Sequence, residues 1–205
     1  MTVTLIIIII TSAVSVWAFQ PNNTIFRQLD FNPYIISHTR EYHRFLTNGL
    51  LHADWMHLIV NMYVLYVFGN GVETFFALVK GEMGHIIFLV FYILAIICSS
   101  IPSYEKHKNN PMYSAVGASG GTSAIVFSYI IFAPLSGFYL MFIPIEIPAI
   151  IFGVAYLIYS YYMAQKSNDN IAHDAHLFGA LFGIIFTLAL DKGIFSFFVE
   201  QLKQW

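Results

Sequence analysis

Long apolar stretches separated by short polar segments dominate this chain. Six of these stretches, about 16 to 25 residues long, contain at most one Asp, Glu, Lys or Arg each. A helix that crosses a bilayer needs about 20 mostly apolar residues. Lipid offers the backbone no hydrogen-bond partners, so each stretch is expected to be helical. The predicted spans are residues 4–19, 55–79, 85–101, 119–135, 146–163 and 171–190.

Composition supports a membrane location. Of the 205 residues, 58% are hydrophobic and only 10% are charged, whereas soluble domains carry about 25% charged residues. The net charge of −2 gives no electrostatic footprint for nucleic acid. The single cysteine, Cys98, excludes an internal disulfide framework and a cysteine-based zinc site. These features predict an all-α, multi-pass integral membrane protein that forms a single domain over residues 1–205.

Two segments leave room for interpretation. Residues 4–19 could be a signal peptide, but no Lys or Arg precedes them, and signal peptides usually begin with basic residues. A first span is therefore the favoured interpretation. Residues 20–54 mix apolar and charged positions, a pattern typical of short amphipathic helices that lie in the membrane interface.

Polar residues inside predicted spans are the candidate functional residues, because they are costly in lipid. His57 and Asn61 are four residues apart in the second span and so share one helix face. They could equally be structural hydrogen-bonding residues between helices. In the fourth span Ser119 lies between Gly117 and Gly120. Glycines permit unusual backbone angles and close approach, although a serine at a helix start can also be an N-cap.

The sixth span begins with a third polar group. His176, Gly179 and Gly183 are spaced three and four residues apart and form one helix face. A pair of glycines at this spacing lets two membrane helices pack closely, so a packing motif with an incidental histidine is the structural alternative. Close packing would also bring His176 within reach of a neighbouring helix.

Together the three groups supply the parts of a hydrolytic site. A serine hydroxyl becomes an effective nucleophile when a base removes its proton, and histidine is a base near neutral pH. Ser119 fits the nucleophile and His176 fits the general base. The tetrahedral oxyanion needs hydrogen-bond donors, and His57, Asn61 and the Ser119 backbone N–H fit that role.

This combination resembles the rhomboid family of intramembrane serine proteases. The residues that carry the resemblance follow the chain in the family's order: Arg44 and residues 50–54, His57-x-x-x-Asn61, Gly69 and Glu73, Gly117-Ala118-Ser119-Gly120, and Ala175-His176-x-x-Gly179-x-x-x-Gly183. The resemblance implies a compact six-helix bundle with a long membrane-associated first loop. It also implies a Ser119–His176 dyad without an acid or cofactor, which cleaves transmembrane protein substrates in the lipid bilayer. Structural or packing roles are expected for Gly117, Gly120, Gly179, Gly183, Arg44 and Glu73.

One position departs from the family pattern. Many rhomboids have an aromatic residue four positions after the serine, where it stacks on the catalytic histidine, but here that position is Ser123. Either Ser123 hydrogen-bonds His176 or another ring stacks on it. Asp174 is two residues from His176, and its side chain should point away from the histidine, so it receives no catalytic role.

Two other functions fit parts of the pattern. A catalytically inactive rhomboid relative that binds or escorts membrane proteins is favoured only by Ser123. A metal transporter could use imidazoles, here His52, His57, His173 and His176, but no mid-membrane carboxylate or thiolate accompanies them. For the location we expect a bacterial-type plasma or inner membrane.

Overall fold

Helices form almost the whole of the protein. The computed structural model describes residues 1–21, 24–139, 146–166 and 172–204. The helices are α1 (Val3–Ala18), α2 (Ile25–Leu29), α3 (Pro33–Thr39), α4 (Arg44–Thr47), α5 (Trp55–Val64), α6 (Asn70–Lys80), α7 (Met83–His107), α8 (Ser119–Phe132), α9 (Ala149–Lys166), α10 (His173–Leu190) and α11 (Gly193–Leu202). Each of the six predicted spans overlaps with one of the longer helices or, for the second span, with α5 and α6.

The longest helices have the dimensions of membrane spans. Helices α5 and α6 are joined by a π-helical turn, Leu65–Gly69, into one 26-residue helix, Trp55–Lys80. This helix, Met83–His107 and His173–Leu190 are both long and apolar enough to cross a membrane, while Val3–Ala18 and Ser119–Phe132 are shorter apolar helices. The predicted all-α membrane fold is therefore confirmed.

The fifth predicted span begins later than expected. Glu146–Pro148 forms a short strand, β2, which pairs antiparallel with β1, Gly137–Tyr139, and helix α9 starts only at Ala149. Proline disfavours the helical conformation in the residue before it, so Pro148 keeps Ile147 extended. The prediction of a helix from residue 146 was wrong by three residues. The C-terminal helix α11 was not predicted, because its apolar run is too short to span a bilayer.

The first loop folds into the expected short helices, α2 to α4, held together by Arg44. The Arg44 side chain is 4% exposed and donates to the Asp30 carboxylate at 2.5 Å and to the backbone oxygens of Arg27 and Asp30. It also donates to Glu41 at 2.8 Å. Arg44, at the start of α4, thereby holds α2 and the residue after it, Asp30, in place.

A second buried polar contact fixes the start of α1. Glu73, 2% exposed, accepts hydrogen bonds from the Val3 and Thr4 backbone N–H groups, each at 2.9 Å, and from the Thr4 hydroxyl at 2.7 Å. It also contacts His85 Nδ1 at 2.7 Å. A carboxylate favours the positive end of a helix, so Glu73 anchors α1 to α6 and α7.

Helix α8 lies at the centre of the bundle and packs most closely against α10. A Cβ added to Gly179 would lie 2.9 Å from the Gly120 carbonyl carbon, and one added to Gly183 would lie 2.7 Å from the Ala124 Cα. Real side chains do not fit at such distances, so the two backbones are in direct contact along this face.

Candidate active site

Ser119 is the first residue of α8, and a glycine with an unusual backbone angle precedes it. Gly117 has φ +130°, a conformation that residues with a Cβ rarely adopt. A Cβ at Gly117 would also lie 2.6 Å from His57 Cε1 and 2.8 Å from His57 Nε2. The His57 ring therefore lies directly against the backbone that leads into Ser119.

His57 and Asn61 place α5 beside the first turn of α8. The Asp54 carboxylate caps α5 by accepting the His57 backbone N–H at 2.8 Å. One turn later Asn61, 5% exposed, accepts a hydrogen bond from the Thr122 hydroxyl at 3.0 Å and donates to the His57 carbonyl at 3.0 Å. Two polar side chains of α5 thus face the helix that begins with Ser119.

Helix α10 brings His176 to the same place. Gly179 of α10, which follows His176 by about one turn, contacts Gly120 of α8, which directly follows Ser119. On the other side of His176, the Ala175 carbonyl oxygen is 3.6 Å from the Cβ position of Gly120. Gly120 is thus enclosed between residues 175 and 179 of α10, so Ser119 and His176 lie at one junction of the two helices.

A small cavity adjoins this junction. Its volume is about 20 Å³, which is room for about one water molecule. Small or polar residues line one part of it, namely Asn48, Ser99, Ser100, Ser103, Gly117, Ser119, Ala172 and Ala175, and Phe31, Ile96, Tyr113 and Val116 line another. The hydroxyl groups of Ser99, Ser100, Ser103 and Ser119 can hydrogen-bond to a water molecule in this cavity.

A tyrosine ring of α9 lies beside His176. The Tyr156 and His176 rings are nearly parallel, with an interplanar angle of 20° and centroids 6.4 Å apart. The Tyr156 hydroxyl is 2.8 Å from Ser123 Oγ. Of the two arrangements that the sequence left open for His176, the structure therefore contains a ring stacked from another helix.

Comparison with known proteins identifies the family. A family model of the rhomboid domain matches residues 39–192. The chain belongs to the rhomboid family. It is 29% identical over 163 residues to RHOMBOID-like protein 12, mitochondrial, of Arabidopsis thaliana, covering 76% of this chain and 48% of the relative. It is 26% identical over 171 residues to Rhomboid-like protein 11, chloroplastic, of the same plant, covering 78% of this chain and 56% of the relative.

This rhomboid thus spans about half the length of the curated relatives that it matches. The family match and the apolar helices make it an integral membrane protein. The names of both relatives refer to organelles, the mitochondrion and the chloroplast, and so give no support to the expected bacterial-type plasma or inner membrane.

In the rhomboid, the first loop holds the segment before Ser119. The Gly117 backbone N–H donates to the Asn48 carbonyl at 3.1 Å, and the Ala118 N–H points to His52 Nε2 at 3.5 Å. His52 is fully buried, and its Nδ1 is 2.9 Å from the Ser15 hydroxyl. Sequence reasoning assigned no such role to Asn48 or His52, although the position of His52 just before the His57 motif was a signal.

The electrostatics of His52 suit this role. Burial, followed by the nearby His57, lowers the pKa of His52 to about 3, so the imidazole is neutral at physiological pH. Since Nε2 accepts the Ala118 N–H, the neutral ring carries its proton on Nδ1 and donates a hydrogen bond to Ser15 Oγ. The Ser15 hydroxyl in turn donates a hydrogen bond to the Leu50 carbonyl at 2.8 Å. This chain of hydrogen bonds links α1 to the segment that leads into Ser119.

The remaining polar residues near α10 have other contacts. Asp174 accepts a hydrogen bond from Ser103 Oγ at 2.6 Å, which ties α10 to α7. Within the part of the chain that the structure describes, His, Cys, Asp and Glu side chains form no group of three that could hold a metal ion. The histidines therefore give the metal-transport alternative no geometric support.

Proposed function

We propose that this rhomboid is an intramembrane serine protease that hydrolyses peptide bonds in or near transmembrane segments of other membrane proteins. Ser119 is the nucleophile and His176 the general base. One observation carries the proposal: Gly120 packs against the backbone of Gly179 and beside the Ala175 carbonyl, so the residues Ser119 and His176, next to these contacts in the chain, belong to one helix junction. A small cavity beside Ser119, with four serines in its lining, adds support.

Acylation follows from the roles of the two side chains. His176 takes the Ser119 proton as the oxygen attacks the substrate carbonyl carbon, and it then gives this proton to the leaving amine. The carbonyl oxygen becomes an oxyanion, for which His57, Asn61 and the Ser119 N–H are the proposed donors. The N–H groups in the first turn of a helix have no partner within that helix, which suits the Ser119 N–H to this task.

Deacylation requires water inside a membrane protein. His176 removes a proton from a water molecule, the resulting hydroxide attacks the acyl-enzyme, and Ser119 recovers its proton. The cavity that Ser119 and Ser99 help to line has room for one water molecule beside the proposed nucleophile, from which the site could be supplied. The substrate helix must first unwind, because its carbonyls are engaged in i→i−4 hydrogen bonds. Substrates with helix-destabilising residues near the cleaved bond are therefore expected to be preferred.

The decisive experiment compares the wild type with Ser119→Ala and His176→Ala. Purified protein is incubated in proteoliposomes with a panel of model transmembrane substrates, and the cut is mapped by mass spectrometry. Each variant should lose at least about 10³-fold in kcat/KM while its thermal unfolding stays close to that of the wild type. Cleavage by Ser119→Ala at the wild-type rate would contradict the proposal.

The same proteins distinguish a protease from an inactive escort factor, the alternative that Ser123 in the usual aromatic position favours. A fluorophosphonate reacts only with an activated serine, so it should label the wild type and not Ser119→Ala. Ser37→Ala, at an exposed serine of the first loop, is the matched control and should label normally. A wild type that resists labelling and cleaves none of the panel would favour the escort factor. The bacterial-type plasma or inner membrane stays a prediction, which fractionation of the native cells tests.

A further inference from the structure

We infer that Tyr156 of α9 is a positioning residue for His176, and that Ser123 of α8 holds Tyr156 in place. The inference rests on the proposed protease function, in which His176 is the base. It assigns to a different helix the aromatic residue that many rhomboids carry four positions after the serine.

The ring geometry is the first observation. Nearly parallel rings with centroids 6.4 Å apart lie within the range of about 4.5–7 Å over which offset aromatic pairs attract. His173 approaches His176 edge-on, with centroids 5.9 Å apart and an angle of 73°. The His176 imidazole is therefore bordered by Tyr156 and His173, which restricts its rotation. A general base acts only in the orientation that faces its proton donor.

The hydrogen bond between Ser123 and Tyr156 is the second observation. Ser123 is 6% exposed and lies one turn after Ser119 on the same face of α8. Its Oγ is 2.8 Å from the Tyr156 hydroxyl. A hydrogen bond in such a buried place is costly to break, because either hydroxyl alone would lose its partner. Ser123 thus fixes the far end of the tyrosine ring relative to the helix that carries the nucleophile.

The small size of Ser123 completes the argument. An aromatic side chain at this position would compete with the Tyr156 ring for the space beside His176. Serine is small enough to leave this space to the tyrosine ring, and its hydroxyl binds the tyrosine hydroxyl. Tyr156 also contacts the rings of Phe127 and Phe152, with centroids 5.7 and 5.9 Å away. Contacts to α8, α9 and α10 therefore set the position of this ring.

The test separates positioning from packing with kinetics in proteoliposomes. Tyr156→Leu removes the ring, and kcat should fall about 10- to 100-fold, the scale expected for a misplaced catalytic group, with KM changed less than threefold. Tyr156→Phe keeps the ring but removes its hydroxyl, and Ser123→Ala removes the hydroxyl that this tyrosine binds. In both variants kcat should therefore fall by a smaller factor than in Tyr156→Leu. Tyr161→Leu is the matched control, because this α9 tyrosine is 60% exposed, and its kcat should stay unchanged.

A swap of the two residues tests the idea of a relocated ring. Ser123→Tyr combined with Tyr156→Ser returns the aromatic residue to α8, and it should recover most of the kcat that Tyr156→Leu loses. Tyr156→Leu with the same kcat as Tyr161→Leu would overturn the inference. So would a loss in Tyr156→Leu that appears only as protein unfolding, with normal kcat in the folded fraction.

A spectroscopic measurement keeps the inference testable whatever the activity. In protein with ¹³C,¹⁵N-labelled histidine, the His176 ring resonance, assigned by its absence in His176→Ala, is shifted by the adjacent tyrosine ring. It should move in Tyr156→Leu and stay nearly in place in Tyr156→Phe and Tyr161→Leu. An unchanged resonance in Tyr156→Leu would refute the contact even if the wild type cleaves substrates. A moved resonance in a protein without activity would keep the contact and overturn the proposed protease.

Discussion

Replacing Gly179 by alanine should separate α10 from α8 and so disarm the proposed catalytic pair. The new Cβ would lie 2.9 Å from the Gly120 carbonyl carbon and closer still to its oxygen, and all of these atoms belong to the α8 backbone. Backbone atoms cannot rotate away as a side chain can. The two helices must therefore move apart by about 1 Å at this point to reach ordinary van der Waals contact.

The magnitude follows from where this shift occurs. Gly179 is one turn after His176, and its neighbour Gly120 directly follows Ser119, so the displacement acts on the distance between the proposed base and the proposed nucleophile. A misplacement of about 1 Å can cost about 10²-fold in rate. Overpacking a well-packed interface also costs about 1–3 kcal/mol of stability. Gly179→Ala should thus lose about 10²-fold in kcat/KM and unfold more easily.

The assay combines kinetics on a model transmembrane substrate with unfolding in a mixed-micelle titration. Gly183→Ala creates a similar clash with Ala124 seven residues from His176, so its stability should fall as much and its activity less. Gly193→Ala is the control, because its Cβ would lie 3.4 Å from Asp191 Oδ1, an ordinary contact. If Gly179→Ala keeps kcat/KM within threefold of Gly193→Ala, the reasoning that links this contact to the catalytic geometry fails.

Two further predictions concern the first loop. Arg44→Leu should destabilise the protein by about 3–5 kcal/mol, because it leaves the buried Asp30 carboxylate without its arginine partner. A denaturant titration measures this loss against Arg40→Leu, a change at an exposed arginine. Equal free energies of unfolding in the two variants would contradict the prediction. His52 has a pKa of about 3 in the folded protein and of about 6.5 in the unfolded chain. Between these pH values the unfolded chain binds more protons than the folded protein does. The folded protein therefore loses stability as the pH falls below about 6.5. From pH 8 to pH 5 this loss is about 2 kcal/mol, and His52→Gln should show a correspondingly flatter pH dependence of unfolding; an identical pH dependence would refute it.

The helices could be predicted because lipid makes hydrophobic length decisive. Five isoleucines in a row in α1, or the run that forms α7, admit one solution for their backbones in a bilayer. The pairing of β1 with β2 was not predicted, because the segment from 137 to 148 continues the apolar pattern, with Glu146 as its one charged residue, and β2 lies inside the fifth predicted span. There Pro148 and the residues before it decide the conformation through local geometry.

The proposed catalytic residues could be selected because each is a polar exception in an apolar span, at a helical spacing from a glycine or a second polar residue. His176 and Gly179, or His57 and Asn61, are readable as one face without any tertiary knowledge. The residues that support them are different. Asn48 and Gly117 are far apart along the chain, and the hydrogen bond between their backbones has no signature in side-chain identity.

Tyr156 could not be predicted for a third reason, which is that different helices can supply the aromatic ring beside His176. A position four residues after the nucleophile can be searched for because the helix repeat links it to Ser119. The physical requirement, however, is a ring against the imidazole, and any helix that passes His176 can meet it. Helix α9 contains five aromatic residues, and nothing in the sequence distinguishes position 156 from the other four. Only the packing of α9 against α8 selects it, since the hydroxyl that replaces the expected ring at Ser123 is the partner that Tyr156 requires. In the proposed site, Ser123 therefore holds the tyrosine ring that takes the place of the aromatic side chain expected at position 123.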